Sequence, residues 1–294
     1  MIEAYWTEQV SGNFDDASDW STSTIPDSAD SAILNASGDT AYTVTSSATQ
    51  SVADVETAPT ATLDISSGEF AATNGTGTGA NLGTIVIADD ARLSAGGTIN
   101  NSGVIDMVGT KDGADLVVGA AGLTLDGGGA LVLADAITAP FQPCPPKYSL
   151  DRILGTSGAT FTNVDDTLTG AGYIGLGELN LVNEAAGVID ASLTTDINIQ
   201  VIGSVVNAGL IEATGAGGLY INYATVYNAG GVIAGAGGKI YLETGADIIG
   251  GTLTSTGGGR DLPRLWTRHF RRIDRRSAGQ SRLRVGQSGS NPLS

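Results

Sequence analysis

Asn183-Glu-Ala-Ala-Gly-Val-Ile189, Asn207-Ala-Gly-Leu-Ile211 and Asn228-Ala-Gly-Gly-Val-Ile233 are three copies of one unit, and their closing isoleucines are 22 residues apart. An earlier copy reads Asn101-Ser-Gly-Val-Ile105. A second unit, Gly96-Gly97-Thr98-Ile99, returns as Gly250-Gly251-Thr252-Leu253, at a separation of 154 residues, seven times the same period. A third, glycine followed by alternating apolar residues, appears at Gly122-Leu-Thr-Leu125, Gly129-Ala-Leu-Val-Leu133, Gly218-Leu-Tyr-Ile221 and Gly238-Lys-Ile-Tyr-Leu242. Shared periodicity of this length is the signature of a solenoid or array.

The apolar runs are short and alternate with polar residues, as in Ile197-Asn-Ile199 and Ile240-Tyr-Leu242. That is the period of a strand with one buried face. Glycine and asparagine interrupt every few residues, which permits sharp turns and blocks long helices. A 22-residue unit of two or three such strands cannot bury its apolar face alone, whereas stacked copies can, their backbones pairing at ~4.8 Å. The predicted fold is therefore all-β: a parallel β-helix, right-handed, with ~22-residue coils. About nine coils over residues 55–258 make a rod of roughly 45 Å. At each repeated corner the asparagine is expected to occupy the left-handed region and to bond its amide to the copy above. The functional alternative is that these amides line a ligand site.

Residues 1–54 read as a β-rich capping segment. The spacing Trp6, Gly12-Asn13-Phe14, Trp20-Ser21, Pro26, Asp30-x-Ala32-x-Leu34 resembles the opening of repetitive bacterial surface and secreted proteins. The run Gly122-Leu-Thr-Leu-Asp-Gly-Gly-Gly-Ala-Leu-Val-Leu133 looks like the strand repeats of autotransporter passengers. The resemblance to these adhesin-like β-helices covers about residues 5–258. It implies an extracellular or cell-surface, mostly non-catalytic rod that contacts a glycan, host surface or matrix. Trp6 and Trp20 are expected to cover the open end of the first coil; stacking on a sugar is the other use of such rings. The segment Met1-Ile2-Glu3-Ala4-Tyr5-Trp6 has neither the basic nor the apolar region of a signal peptide, so export would rely on a signal elsewhere, or the chain is a piece of a longer one.

Composition narrows the function. The 294 residues include 43 glycines and carry a net charge of −17. Residues 1–258 hold five bases (Arg92, Lys111, Lys147, Arg152, Lys239) against 29 acids, a balance of −24, which disfavours nucleic acid as a partner. No apolar run approaches the ~20 residues of a membrane helix. A single cysteine, Cys144, excludes an internal disulfide framework, and a single histidine, His269, removes histidine-based triads and zinc sites from residues 1–268. Phosphate-loop and calcium-nonapeptide glycine patterns are missing, so no cofactor or metal residues are assigned.

Two segments break the repeat. Residues 139–153 hold four of the eight prolines and Cys144 and should leave the rod as a loop. Residues 259–294 hold nine arginines, no lysine and two aspartates, a balance of +7. This basic tail reads either as an amphipathic helix around Trp266, Phe270 and Ile273 or as a truncated or frame-shifted end outside the fold. In the second case the last coil presents an open edge that invites end-to-end self-association.

A polysaccharide-active enzyme is the alternative function. Its hydrolytic form needs paired carboxylates, and Asp165-Asp166 is the nearest candidate. Adjacent strand residues point to opposite faces, so the pair also reads as a solvated turn. A flat ice- or matrix-binding face is a further alternative, but the Thr-x-Thr pairs at 43–45, 60–62, 76–78 and 160–162 are not spaced by the coil period.

Overall fold

The structure, a computed structural model, describes residues 1–134, 151–243, 245–256 and the backbone of 282–284. The chain is an all-β solenoid of about nine turns stacked at the predicted spacing. From residue 151 onward each complete coil contributes three short strands, one to each face. In one coil these are Ile197–Gln200, Ser204–Asn207 and Leu210–Ala213; in the next, Leu219–Asn222, Thr225–Tyr227 and Val232–Gly235. We number the faces 1, 2 and 3 in that order. Face 3 is an eleven-stranded sheet. Faces 1 and 2 are joined in a fifteen-stranded sheet because two long strands, Ala91–Asn100 and Asp115–Asp126, run through the corner between them. All of these pairings are parallel except one: Arg282–Arg284 lies antiparallel to Asp247–Ile249 at the end of face 2.

Register follows the alternation read in the sequence. Ile189, Ile211 and Ile233 are direct partners in consecutive strands of face 3. The same inward row runs back through Leu168, Leu131, Ile105, Ile85, Leu63 and Val44. Face 1 contributes Leu116, Ile153, Ile174, Ile199 and Ile221, and face 2 Leu123, Phe161, Leu181, Val205 and Val226. All are essentially inaccessible. Each such side chain contributes roughly 1.5–3 kcal/mol by leaving water, and only a neighbouring coil can supply that environment.

The repeated units sort differently from their spacing. Gly218–Ile221 and Gly238–Leu242 do stack, with Leu219 opposite Ile240. Gly122–Leu125 and Gly129–Leu133, by contrast, are successive faces of a single coil. The two Gly-Gly-Thr units lie on different faces: Thr98 pairs with Thr124 on face 2, and Thr252 with Val232 on face 3. Their 154-residue separation is therefore not a count of coils, because coil length varies. Consecutive coils place partners 20, 24 and 21 residues apart, whereas Gly129 and Asp166 are 37 apart; of the loop expected at 139–153, residues 139–150 lie outside the described residues and 151–153 instead open the strand Asp151–Gly155.

The first 54 residues pair into the same stack. Glu3–Tyr5 lies beside Ser31–Leu34, which lies beside Asp54–Thr57; Gly12–Asn13 lies beside Tyr42–Ser46, which pairs with Ala61–Ile65. Trp6, Phe14 and Trp20 close the core at this end. Trp20 meets Trp6 edge-on at 5.2 Å and Phe14 at 5.0 Å, and Phe14 meets Phe70 at 5.2 Å. The indole N–H of Trp20 donates to the Phe14 carbonyl at 2.9 Å, and that of Trp6 to the Val10 carbonyl at 3.1 Å. Each polar tip is satisfied while its ring stays dry.

Candidate functional site

The buried asparagines form one internal row at the corner between faces 2 and 3. Thr57 donates its hydroxyl to Asn81, and Asn81 Nδ2 donates to Asn101 Oδ1 at 2.6 Å. Further along, Asn163 donates to Asn183 at 3.0 Å, Asn183 to Asn207 at 2.8 Å, and Asn207 to Asn228 at 2.7 Å. Each Nδ2 also reaches a backbone carbonyl of its own corner or the next coil, ending with Asn228 on Thr252 at 3.3 Å. Every link donates toward the C-terminus, so the amide dipoles align and strengthen one another. With its residues at most 2% exposed, the row is structural and lines no ligand site.

The reason for Asn-x-Gly is steric and not conformational. None of these asparagines has positive φ, contrary to the expected left-handed corner. The glycine is required because the ladder fills its side-chain space: a Cβ on Gly209 would sit 2.2 Å from the Glu184 carbonyl oxygen and 2.9 Å from Asn183 Nδ2, and one on Gly231 would sit 2.5 Å from Asn207 Nδ2.

The candidate carboxylate pair belongs to this architecture. The coil between Asn101 and Asn163 has Gly127-Gly128-Gly129 at the corner and no asparagine. Asp166 spans the gap: Oδ2 accepts from Asn101 Nδ2 at 2.6 Å, Oδ1 accepts from the Gly129 N–H at 3.2 Å, and its own N–H donates to Asn163 Oδ1 at 3.1 Å. Burial pushes its carboxyl above the usual range; the Asn101 and Gly129 donors pull it back, and Asp165 adds a further upward push. Asp165 uses Oδ1 to accept from the Gly127 and Gly128 N–H groups at 2.8 and 2.9 Å. The two acids therefore clamp one glycine turn from two sides and do not face a common substrate position. Trp6 and Trp20, at 2% and 1% exposure, have no ring face available to a sugar. Cys144 and His269 lie outside the described residues.

Two outward surfaces remain. On face 1 the partners Glu69, Arg92, Asp115 and Arg152 form one column. Asp115, 4% exposed, accepts from Arg92 at 3.2 Å and from Arg152 Nε at 2.6 Å. Two of the five body bases thus meet on one carboxylate, although their positions in the sequence appear scattered. Glu69, Asp90, Arg92, Asp115 and Arg152 rim a shallow cleft there, but each arginine is already paired. A short threonine column, Thr43, Thr62 and Thr84, also stacks on the outside of face 3, where spacing alone indicated no alignment.

The second surface follows the corner between faces 1 and 2 in the last four coils. Leu176, Ile202 and Tyr223 project from successive corners with exposures of 37, 78 and 59%. Tyr220 and Tyr241 stack outside face 1 at 4.3 Å and 17°, and Val206 and Tyr227 are exposed partners outside face 2. Five of the eight tyrosines fall between residues 173 and 241. Sequence reading passed over this strip because its members occupy different repeat positions and converge only when coils stack.

No family model, no curated protein and no solved structure matches this chain. Among the described residues no group of three or more histidine, cysteine or acidic side chains is placed to hold a metal ion, and no helix is long and apolar enough to cross a membrane.

Proposed function

We propose that the chain is a non-catalytic rod of the bacterial exterior, adhesin-like in action, that works by contact along its outer faces. The observation that supports this reading is the use of the buried and half-buried polar groups. Asp89 accepts four consecutive backbone N–H groups from Thr110 to Gly113. Asp151 accepts those of Ala114 and Ala134, Asp165 and Asp166 hold the glycine turn, and the asparagines hold one another. The interior is committed to rigidity, and the exterior presents one further outward side chain per coil along fixed columns, at ~4.8 Å. A rigid surface with regularly spaced side chains suits multivalent contact, where individually weak interactions combine.

The test is binding of the full chain to glycan arrays, extracellular-matrix proteins and cell surfaces. Saturable binding to one of these, without turnover of the bound polymer, is the expected result. Depolymerisation of a polysaccharide by the pure protein would replace the rod with the enzyme reading.

A further inference from the structure

We propose that the corner strip of Leu176, Ile202 and Tyr223, flanked by Tyr220 and Tyr227, binds an extended neutral polysaccharide lying along the solenoid axis. The inference rests on the contact-rod reading above and gives it a site and a ligand class.

Backbone strain provides the first argument. Leu176 and Tyr223 have φ of +38° and +54°, a region that costs a non-glycine residue roughly 1–2 kcal/mol. Burial can offset such strain at a core position, but these residues are 37 and 59% exposed, so neither is a core residue and Tyr223 in particular recovers little by packing. Strain carried by exposed bulky side chains points to a role outside the fold. The local sequence leaves room for them: the tip of Ile202 lies over Gly177, 3.2 Å from where a Cβ would stand, and the Tyr223 ring lies beside Gly245 at 3.7 Å.

Chemistry and spacing identify the occupant. Tyrosine combines a ring face with a hydroxyl, and the half-buried register partners Gln200 and Asn222 immediately precede the corners of Ile202 and Tyr223, so amide-bearing and apolar residues adjoin there. Sugars present that same combination, C–H faces edged by hydroxyls. Successive corners are one coil apart, ~4.8 Å, comparable with the length of a pyranose unit in an extended chain, so a polymer along the axis meets an equivalent position at each unit. Glu178 and Glu243 occupy the same corner segments and Asp247 opens the face 2 strand that follows, in a body of charge −24. Anionic polymers are repelled, which selects a neutral chain.

The experiment is affinity electrophoresis of the full chain through gels containing hydroxyethylcellulose, galactomannan or polygalacturonate. The neutral polymers should retard it and polygalacturonate should not. Tyr223→Gly removes the ring and relieves the positive φ, so its thermal midpoint should equal or exceed that of the original chain while affinity falls about tenfold. Ile202→Ala, at a 78% exposed site, should weaken binding without changing stability. Lack of retardation by either neutral polymer, retardation by polygalacturonate alone, or full affinity in Tyr223→Gly would each overturn the proposal. So would a dimer in light scattering that Tyr223→Gly dissolves, because a second copy would then be the occupant. If the chain binds cells or matrix and Tyr223→Gly binds them equally, the strip is wrong and the rod stands. If it binds nothing in either assay, both readings fail.

Discussion

Asn101 Nδ2 lies 2.6 Å from Asp166 Oδ2, although 65 residues separate the two in sequence. This bond carries the internal ladder across a coil that has no asparagine, and it explains why the link is an aspartate. The link receives donors from both sides, an amide NH2 and the Gly129 N–H, and a carboxylate is the side chain that only accepts.

Asp166→Asn should therefore destabilise the protein despite matching the other rungs. Its NH2 must face either Asn101 or Gly129, leaving a buried donor unsatisfied at a cost of about 1–3 kcal/mol. Asp166→Ala removes the acceptor of one Asn101 amide hydrogen and leaves a cavity beside the ladder, while the Gly129 N–H keeps the Asn101 carbonyl at 2.8 Å, and it should cost more. Urea unfolding of the two variants checks the order; equal stability of Asp166→Asn and the original chain would refute the bridging role.

Position along the ladder should matter more than residue type. Asn207→Ala deprives Asn183 of its acceptor and Asn228 of its donor in a dry interior, so a loss of about 2–3 kcal/mol is expected. Asn198 accepts a similar bond from Asn222 at 2.9 Å, but on the half-buried outside of face 1. Asn198→Ala should change stability by under about 0.5 kcal/mol. Thermal unfolding of the pair, with hydrogen exchange at the Asn207 corner, separates the two cases.

Glycines should divide in the same way. Gly209→Ala forces a Cβ to within 2.3 Å of two carbonyl oxygens and should cost about 3 kcal/mol or more. Gly158 has φ +85° with open space around its Cβ position, so Gly158→Ala bears only the strain of a left-handed residue, about 1–2 kcal/mol. If the two variants melt together, the steric account of Asn-x-Gly is wrong.

Mild acid should stabilise this protein. Burial pushes the Asp151 carboxyl up to about 6, against the N–H groups of Ala114, Ala134 and Gly109, and Asp89 adds to the rise. The folded state therefore holds that proton more tightly than the unfolded chain. The group's favourable contribution is complete below the ordinary value of 3.8 and is lost as pH climbs through about 6. Burial also raises Asp64, Asp106, Asp166, Asp196 and Glu212, with Asp190 adding to Glu212, which it faces across the strands. Asp16 and Asp89 are lowered and act in the opposite sense, but only at more acidic pH. The thermal midpoint should accordingly be higher at pH 5 than at pH 7.5, and Asp151→Asn should shrink the difference. A midpoint that falls on acidification to pH 5 would contradict this.

The solenoid was legible because its signals are local. Alternation in Ile197-Asn-Ile199 reports which side chains face inward, and the repeated Asn-x-Gly reports a corner, each within one coil. The Asp165-Asp166 pair was not legible in the same way. Its spacing suggested two acids at a turn, but the partner of Asp166 lies 65 residues upstream, beyond the reach of any period once neighbouring corners stand 37 residues apart, as at Gly129 and Asp166. The corner strip was hidden for a similar reason: Leu176, Ile202 and Tyr223 share no motif and become neighbours only through the stack.

By itself, then, the sequence determined the class of object: β strands of period two, punctuated by glycine and asparagine, can bury their apolar faces only by winding on one another. Tertiary structure alone decided which coil meets which, because that choice depends on how every insertion and shortened corner adds up along the axis. Ladder continuity, the two arginines on Asp115 and the exposed corner all follow from that sum, and no single coil contains it.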